Sequence, residues 1–329
     1  MPSSVENIVT AQLGVKQALP WAFIEGFLVQ FSCAWGFFFI SCLASPLVWG
    51  EIPDERKLLW HTTFVALCQP FYSAYAIWDD VAAVVSWWWQ NPMGDWLDYK
   101  PTPGIFYGVG LACGFMAMDT MTLAIWPKTL MKALRRSMFI QMLIHHILSL
   151  IFWPYALCTQ KGAVPILYFV LTEASNIFVN LRWLLENRPG WDTSSAYYIT
   201  GISMLFVFFI IRVLPMPWIA FHWVRPSSYA HCSTFQTMIF LLLLPIPLYL
   251  NAFWFKLMVK KAIRVITKAL VSSEVERKSE MSRTSKAEGR AKIIGREIGV
   301  ASLITYDNLV LPWLSGALRM TILYLFCHG

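Results

Sequence analysis

Long apolar runs follow one another along this chain with little polar surface between them, and that succession constrains the fold more than any other feature. Seven runs stand out, at about 21–49, 58–78, 104–126, 137–158, 163–186, 196–214 and 235–258. Each has roughly the 20 residues that a bilayer core requires of a helix. A spanning backbone must satisfy its own polar groups, so every run is expected to be helical. The fold class is all-α: a polytopic transmembrane bundle of about seven spans. A soluble multi-domain protein is excluded. Residues 1–20 are mixed and polar, and the first run is too long for the core of a signal peptide, so no cleaved leader is expected. Aspartate 79 to glutamine 90, with Trp87, Trp88 and Trp89, reads as an interfacial helix.

The divisions expected from composition are an N-terminal segment with the first span (1–57), a membrane core (58–261), a basic tail (262–300) and an apolar C-terminal segment (301–329). Ala301 to Phe326 is interrupted by Asp307, Pro312 and Arg319. It reads as interfacial or re-entrant, with an eighth membrane segment as the alternative. The net charge of +7 does not point to nucleic acid, because the cations cluster beside membrane segments. The cysteines are scattered without a C-x-x-C pair and read as small packing residues.

Cation placement orients the chain. With Lys128, Lys132, Arg135 and Arg136 in the cytosol, Arg56, Lys57, Arg182 and Arg188 fall on the same side, and Lys16, Lys100, Lys161, Arg212 and Arg225 on the other. Seven spans then also put the cations from Lys256 to Arg296 in the cytosol and leave the N-terminus lumenal. Lys256, Lys260, Arg264 and Lys268 recur every four residues opposite Val259, Ile263, Ile266 and Leu270. This suits a basic amphipathic helix on an anionic leaflet, and equally a juxtamembrane helix with a solvated charged face. Ser272 to Arg290, rich in Ser, Lys, Arg and Glu, reads as disordered.

The run 137–158 carries two adjacent histidines, His145 and His146. An ionisable group at membrane depth marks a polar cavity, a proton path or a site. Gln141, His145 and Ser149 are spaced to share a helix face, which favours His145 as the better-oriented member. At 1.5 Å per residue, His145 lies about 12 Å and Asp119 about 10 Å from the same side. Glu173, Asn176 and Asn180 are also spaced to share a face, and Asn180 comes to a similar depth. One reading is a hydrated cavity with a histidine base and carboxylates that orient it. The other is interhelical hydrogen bonding alone, at about 0.6–2 kcal/mol per bond. His61, near the interface, reads as structural. Adjacent histidines point about 100° apart on a helix and do not chelate as an i, i+4 pair would, so no metal is expected.

These residues carry a family resemblance. GFMAMDTM with Asp119, the basic loop, MFIQMLIHHILSL and LTEASNIFVNLRWLL resemble the TLC-domain family, the ceramide synthases and their non-synthase relatives, from about His61 to Lys261. The synthases carry His-Asp-x-x-Asp-x-x-x-Glu on the helix after the histidine pair. Here Thr172, Glu173, Asn176 and Asn180 hold those positions, and the string resembles the non-synthase branch. An amide neither takes a proton nor offsets a cation. The resemblance implies a helical bundle of the endoplasmic reticulum or related membranes that holds a lipid or acyl chain between its helices.

Two functions follow as expectations. One is a lipid-handling protein that influences membrane lipid composition, with Gln141, Ser149, Asn176 and Asn180 against lipid. The other is an acyl-CoA-dependent N-acyltransferase, with His145 or His146 as base and Asp119 or Glu173 as its orienting acid. The expected partners are membrane lipids or acyl chains. No cofactor is expected, and acyl-CoA enters only as the cosubstrate of the second reading. A transporter has less support, since the sequence shows neither paired broken helices nor an inverted repeat.

Overall fold

The computed structural model describes residues 4–49, 54–134 and 136–287, and contains no strand among them. Two compact units are present, Met1–Lys256 and Leu257–Gly329.

In the first unit, α1 is Ser4–Trp49, α2 Asp54–Ala76, α3 Trp78–Gln90, α4 Pro103–Ile125, α5 Pro127–Leu134 and α6 Arg136–Cys158. There follow α7 Ala163–Glu173, α8 Asn176–Glu186, α9 Ser195–Phe208, a π-helical turn Phe209–Val213, α10 Met216–Val224, a 3-10 turn Pro226–Tyr229, α11 Thr234–Leu243 and the start of α12, Pro245–Ala287. The expected interfacial helix is α3, and the basic loop holds the short helix α5.

Among the described residues, six stretches are long and apolar enough to cross a membrane: Leu19–Leu47, Pro103–Ile125, Arg136–Cys158, Ala163–Glu186, Ser195–Val224 and Thr234–Thr267. The seventh expected span, 58–78, forms α2 but is too polar to join them. The reason is visible in its packing. Thr62, Thr63, Gln69 and Ser73 are all buried; the Thr62 hydroxyl donates to the Leu59 carbonyl at 3.1 Å and Gln69 Nε2 to Ser73 Oγ at 2.7 Å. The polar side chains that dilute α2 are turned into protein.

Helix α4 is the most buried of the six. It is apolar around most of its circumference, as a helix surrounded by others must be. Pro103 occupies its first turn; the Thr102 hydroxyl accepts from the Ile105 N–H at 3.1 Å and donates to Asp80 Oδ1 at 2.5 Å. Against α1 it presents Gly110 and Gly114. A Cβ on Gly110 would strike the Phe23 carbonyl, one on Gly114 the Phe27 carbonyl, and one on Gly26 of α1 the Tyr107 carbonyl. The two backbones touch where side chains are missing, the usual device for close helix contact in lipid.

Three expected spans are interrupted. The run 163–186 breaks at Ala174–Ser175, where tightened hydrogen bonds (Ala174 N–H to Leu171 O, Ser175 N–H to Thr172 O) end α7 before α8 begins. The run expected at 196–214 continues to Val224 through the π turn, marked by the bond from Leu214 N–H to Phe209 O, five residues back. The last run breaks before Pro245, which lacks the N–H a continuing helix needs.

In the second unit, α12 runs on to Ala287, so the disorder expected from Ser272 is not what the structure describes. No Gly or Pro occurs between Pro247 and Gly289, and Glu274 precedes Lys278 by four residues, a spacing that supports a helix. Lys260 and Arg264 are exposed, while Val259 and Ile263 are half-buried. The Lys268 side chain, the end of the basic tail (288–300) and the apolar segment 301–329 lie outside the described residues.

Candidate functional site

The site begins with the inward face of α6. Phe139, His146 and Trp153 are buried at intervals of seven, as are Ser149 and Ala156. That spacing makes a seam facing other helices. His146 sits on the seam. His145 stands about 100° further round and is half-buried. Gln141, expected to share the inner face, is exposed, whereas Ser149 is buried. The 40° drift of each i, i+4 step carries the three residues from surface to core.

Each histidine meets its own carboxylate. His146 Nδ1 lies 3.3 Å from Asp119 Oδ2 of α4, both side chains being under a tenth exposed. The approach is close but not aligned as a hydrogen bond, and Nδ1 has no other partner. His145 Nε2 lies 3.8 Å from Glu173 Oε1 at the end of α7, with the histidine side chain 38% exposed and the glutamate 9%. This gap exceeds hydrogen-bond length. The imidazole rings are 5.4 Å apart. The preference for His145 as the better-oriented member is therefore reversed in part: His146 has the closer carboxylate, His145 the open surface.

The residue that sequence reasoning misplaced is Arg212. Counted there among the cations of the far side, it is buried within the apolar stretch Ser195–Val224. Its Nε donates to Ser175 Oγ at 2.7 Å and to the Thr172 carbonyl at 3.2 Å. Nη1 donates to Asn251 Oδ1 at 3.0 Å; Nη2 donates to the Thr172 carbonyl and to Asn176 Oδ1, both at 2.9 Å. Tyr168 OH donates to the Arg212 carbonyl at 2.7 Å. The guanidinium thus fills the break between α7 and α8 and sits at the negative end of α7, where a cation is favoured. The one arginine of this 30-residue, largely apolar stretch costs about 2.5–3.5 kcal/mol on insertion scales. That cost was the available signal, together with Asn251 in the next apolar run.

Asn176 completes the site, since its Nδ2 donates to Glu173 Oε2 at 2.7 Å. Asn180 does not join it. Its Nδ2 donates to the Ala66 carbonyl of α2 at 2.9 Å. Ala66 stands four residues before Pro70, which has no N–H to offer that carbonyl, so Asn180 repairs a gap in α2. His61 behaves structurally, sharing a 2.9 Å hydrogen bond from Nδ1 with Ser41 Oγ. Away from the pairs, Asp95, Asp98 and His231 bring one ligand atom each within 4.8 Å of one another. Asp98 is already paired with Lys161, and an ammonium beside the cluster opposes a cation there.

Residues 56–260 match the family model described as TLC domain. TLC domain-containing protein 4-B of Danio rerio is 25% identical over 214 residues, covering 61% of this chain and 72% of that protein. TLC domain-containing protein 4 A of Dictyostelium discoideum is 27% identical over 133 residues, 40% of this chain and 51% of its own length. TLC domain-containing protein 4 of Homo sapiens is 25% identical over 189 residues, 55% and 65% respectively. The chain thus spans less than two thirds of the length of the last two. No solved structure matches it. With the family model matched over most of its length, the chain belongs to the TLC domain family.

Proposed function

We propose that this protein handles membrane lipid within its helical bundle and thereby influences the lipid composition of the endoplasmic reticulum or a related membrane. The observation that carries the reading is the pair of imidazole–carboxylate contacts, His145 with Glu173 and His146 with Asp119, among apolar helices. Ionisable groups in such surroundings are costly and by default functional. His145, the more exposed member, offers a hydrogen-bonding group to a lipid head while the apolar helix surface beside it suits chains. In this reading the N-terminus is lumenal and the α12 extension cytosolic.

A second reading is N-acyl transfer from an acyl-CoA. The half-exposed imidazole backed by a carboxylate supports it, being the arrangement of a general base with its orienting acid. His145 would take the amine proton as nitrogen attacks the thioester carbonyl, and would return it to the departing thiolate. Exposed Lys128 and Lys132 on α5 would attract the phosphates. Lipid classes measured in membranes lacking the protein, and in membranes carrying wild type, His145→Ala or His146→Ala at equal abundance, test the first reading. Loss of the lipid difference with either variant supports it; an unchanged lipid profile with both overturns it. Acyl transfer by the purified protein then decides the second.

A further inference from the structure

Arg212 has no use in either reading, although it makes more side-chain hydrogen bonds than the histidines. We propose that Arg212 and Asn176 are positioning residues: the guanidinium fixes the Asn176 amide, the amide fixes Glu173, and Glu173 is thereby held toward His145. The proposal rests on the reading of His145 as the working member of the site.

The chemistry at position 176 makes the argument. Arg212 is surrounded by neutral acceptors, namely the Thr172 carbonyl, Ser175, Asn251 and Asn176. The nearest anion in the network is Glu173, reached through Asn176. The amide accepts from Arg212 Nη2 with Oδ1 at 2.9 Å and donates to Glu173 Oε2 with Nδ2 at 2.7 Å. The amide does both at once, because one planar group carries an acceptor oxygen and a donor nitrogen. An aspartate would accept from Arg212 but set two carboxylates against each other, and an apolar residue would leave both ends unpaired. With Oε2 held by the amide, Oε1 is the oxygen that faces His145. The amide that departs from the synthase pattern is thus the coupling between a buried cation and the half-exposed histidine. The charged and titratable groups that face His145 are Glu173, His146 and, behind Glu173, Arg212; Asp119 faces His146.

Histidine modification by diethyl pyrocarbonate, read by mass spectrometry on the full-length protein in detergent across a pH series, tests this without any lipid assay. Glu173→Gln is expected to displace the His145 profile by roughly half a pH unit or more, the size of effect a neighbouring charge produces. Asn176→Leu is expected to displace it in the same direction, and the double variant no further than Glu173→Gln alone. His146, buried with Asp119, should keep its wild-type profile and serves as the internal control. Asn176→Ala replaces Asn176→Leu where the latter does not accumulate. A wild-type His145 profile in the Asn176 variants, additive displacement in the double variant, or an equal change at His146 overturns the proposal. If the coupling holds while His145→Ala and His146→Ala both leave lipid composition untouched, the functional reading falls and the relay stands. If the lipid difference needs His145 but the profiles do not couple, the relay falls alone.

Discussion

The contact of α1 with α4 and the contact of α7–α8 with the π turn solve the same problem in opposite ways. In the first, unbroken helices meet backbone to backbone through Gly26, Gly110 and Gly114. No polar side chain is needed at these glycines, because the helices run through the contact without a break. In the second, the helices are broken, and Arg212, Ser175, Asn176 and Asn251 supply what the breaks expose. The difference teaches where a membrane protein can place chemistry. A close-packed glycine contact leaves no room and frees no group, whereas a broken helix needs polar side chains, and these bring a carboxylate and a histidine within reach of one another.

The largest expected effect falls on the polar side. Arg212→Met removes the donors of the network and strands Thr172, Ser175, Asn176 and Asn251, a loss of about 3–5 kcal/mol by analogy with breaking a buried ion pair. Most of the protein should then fail to elute as a folded species in size-exclusion chromatography, and Glu173→Gln in the same chain should restore part of it by removing the uncompensated anion. Full accumulation of Arg212→Met would end the claim that the break depends on the guanidinium.

On the apolar side, Gly110→Leu and Gly114→Leu must push α1 away from α4. Overpacking of this kind costs about 1–3 kcal/mol, read as a lowered melting temperature in detergent. Melting at the wild-type temperature would show that the helices separate freely.

A hybrid case sharpens the contrast. Asn180→Ala leaves the Ala66 carbonyl unpaired inside the protein, at about 1–3 kcal/mol. Pro70→Ala supplies the missing N–H, so the double variant should lose less stability than the single Asn180→Ala. Strict additivity of the two would show that Asn180 does not serve that carbonyl.

The smallest effect lies along the basic stretch from Lys256 to Lys268, where each cation near an anionic surface contributes about 1 kcal/mol. Replacing Lys256, Lys260, Arg264 and Lys268 by Gln should raise hydrogen exchange of residues 257–271 in nanodiscs containing anionic lipid and not in neutral ones. An equal change in both lipids would favour a plain solvated helix.

The helical bundle was legible because apolar length is a one-dimensional property; depth along the helices compared Asp119 with His145, whereas in the structure it is His146 that lies beside Asp119. The π turn and the break at Ala174–Ser175 were not legible, since both depend on what a neighbouring helix offers. Arg212 was misread because a cation near the end of an apolar run looks like the start of a loop. The correct boundary lay twelve residues further on, at Val224. Asn180 was grouped with Glu173 by spacing, and only Pro70, on another helix, explains where its amide goes. Glycine spacing at 110 and 114 was open to inspection and carried the α4 contact.

The seat of Arg212 has a consequence for how the chain is made. A ribosome delivers Tyr168, Thr172, Ser175 and Asn176 to the membrane before it delivers Arg212, and Asn251 last. Three of its acceptors, on Thr172, Ser175 and Asn176, therefore precede the guanidinium in synthesis, and only Asn251 follows it. Most of the hydrogen-bonding capacity of the arginine is thus matched by segments made before it, so it need not wait alone in lipid for the one partner still to come.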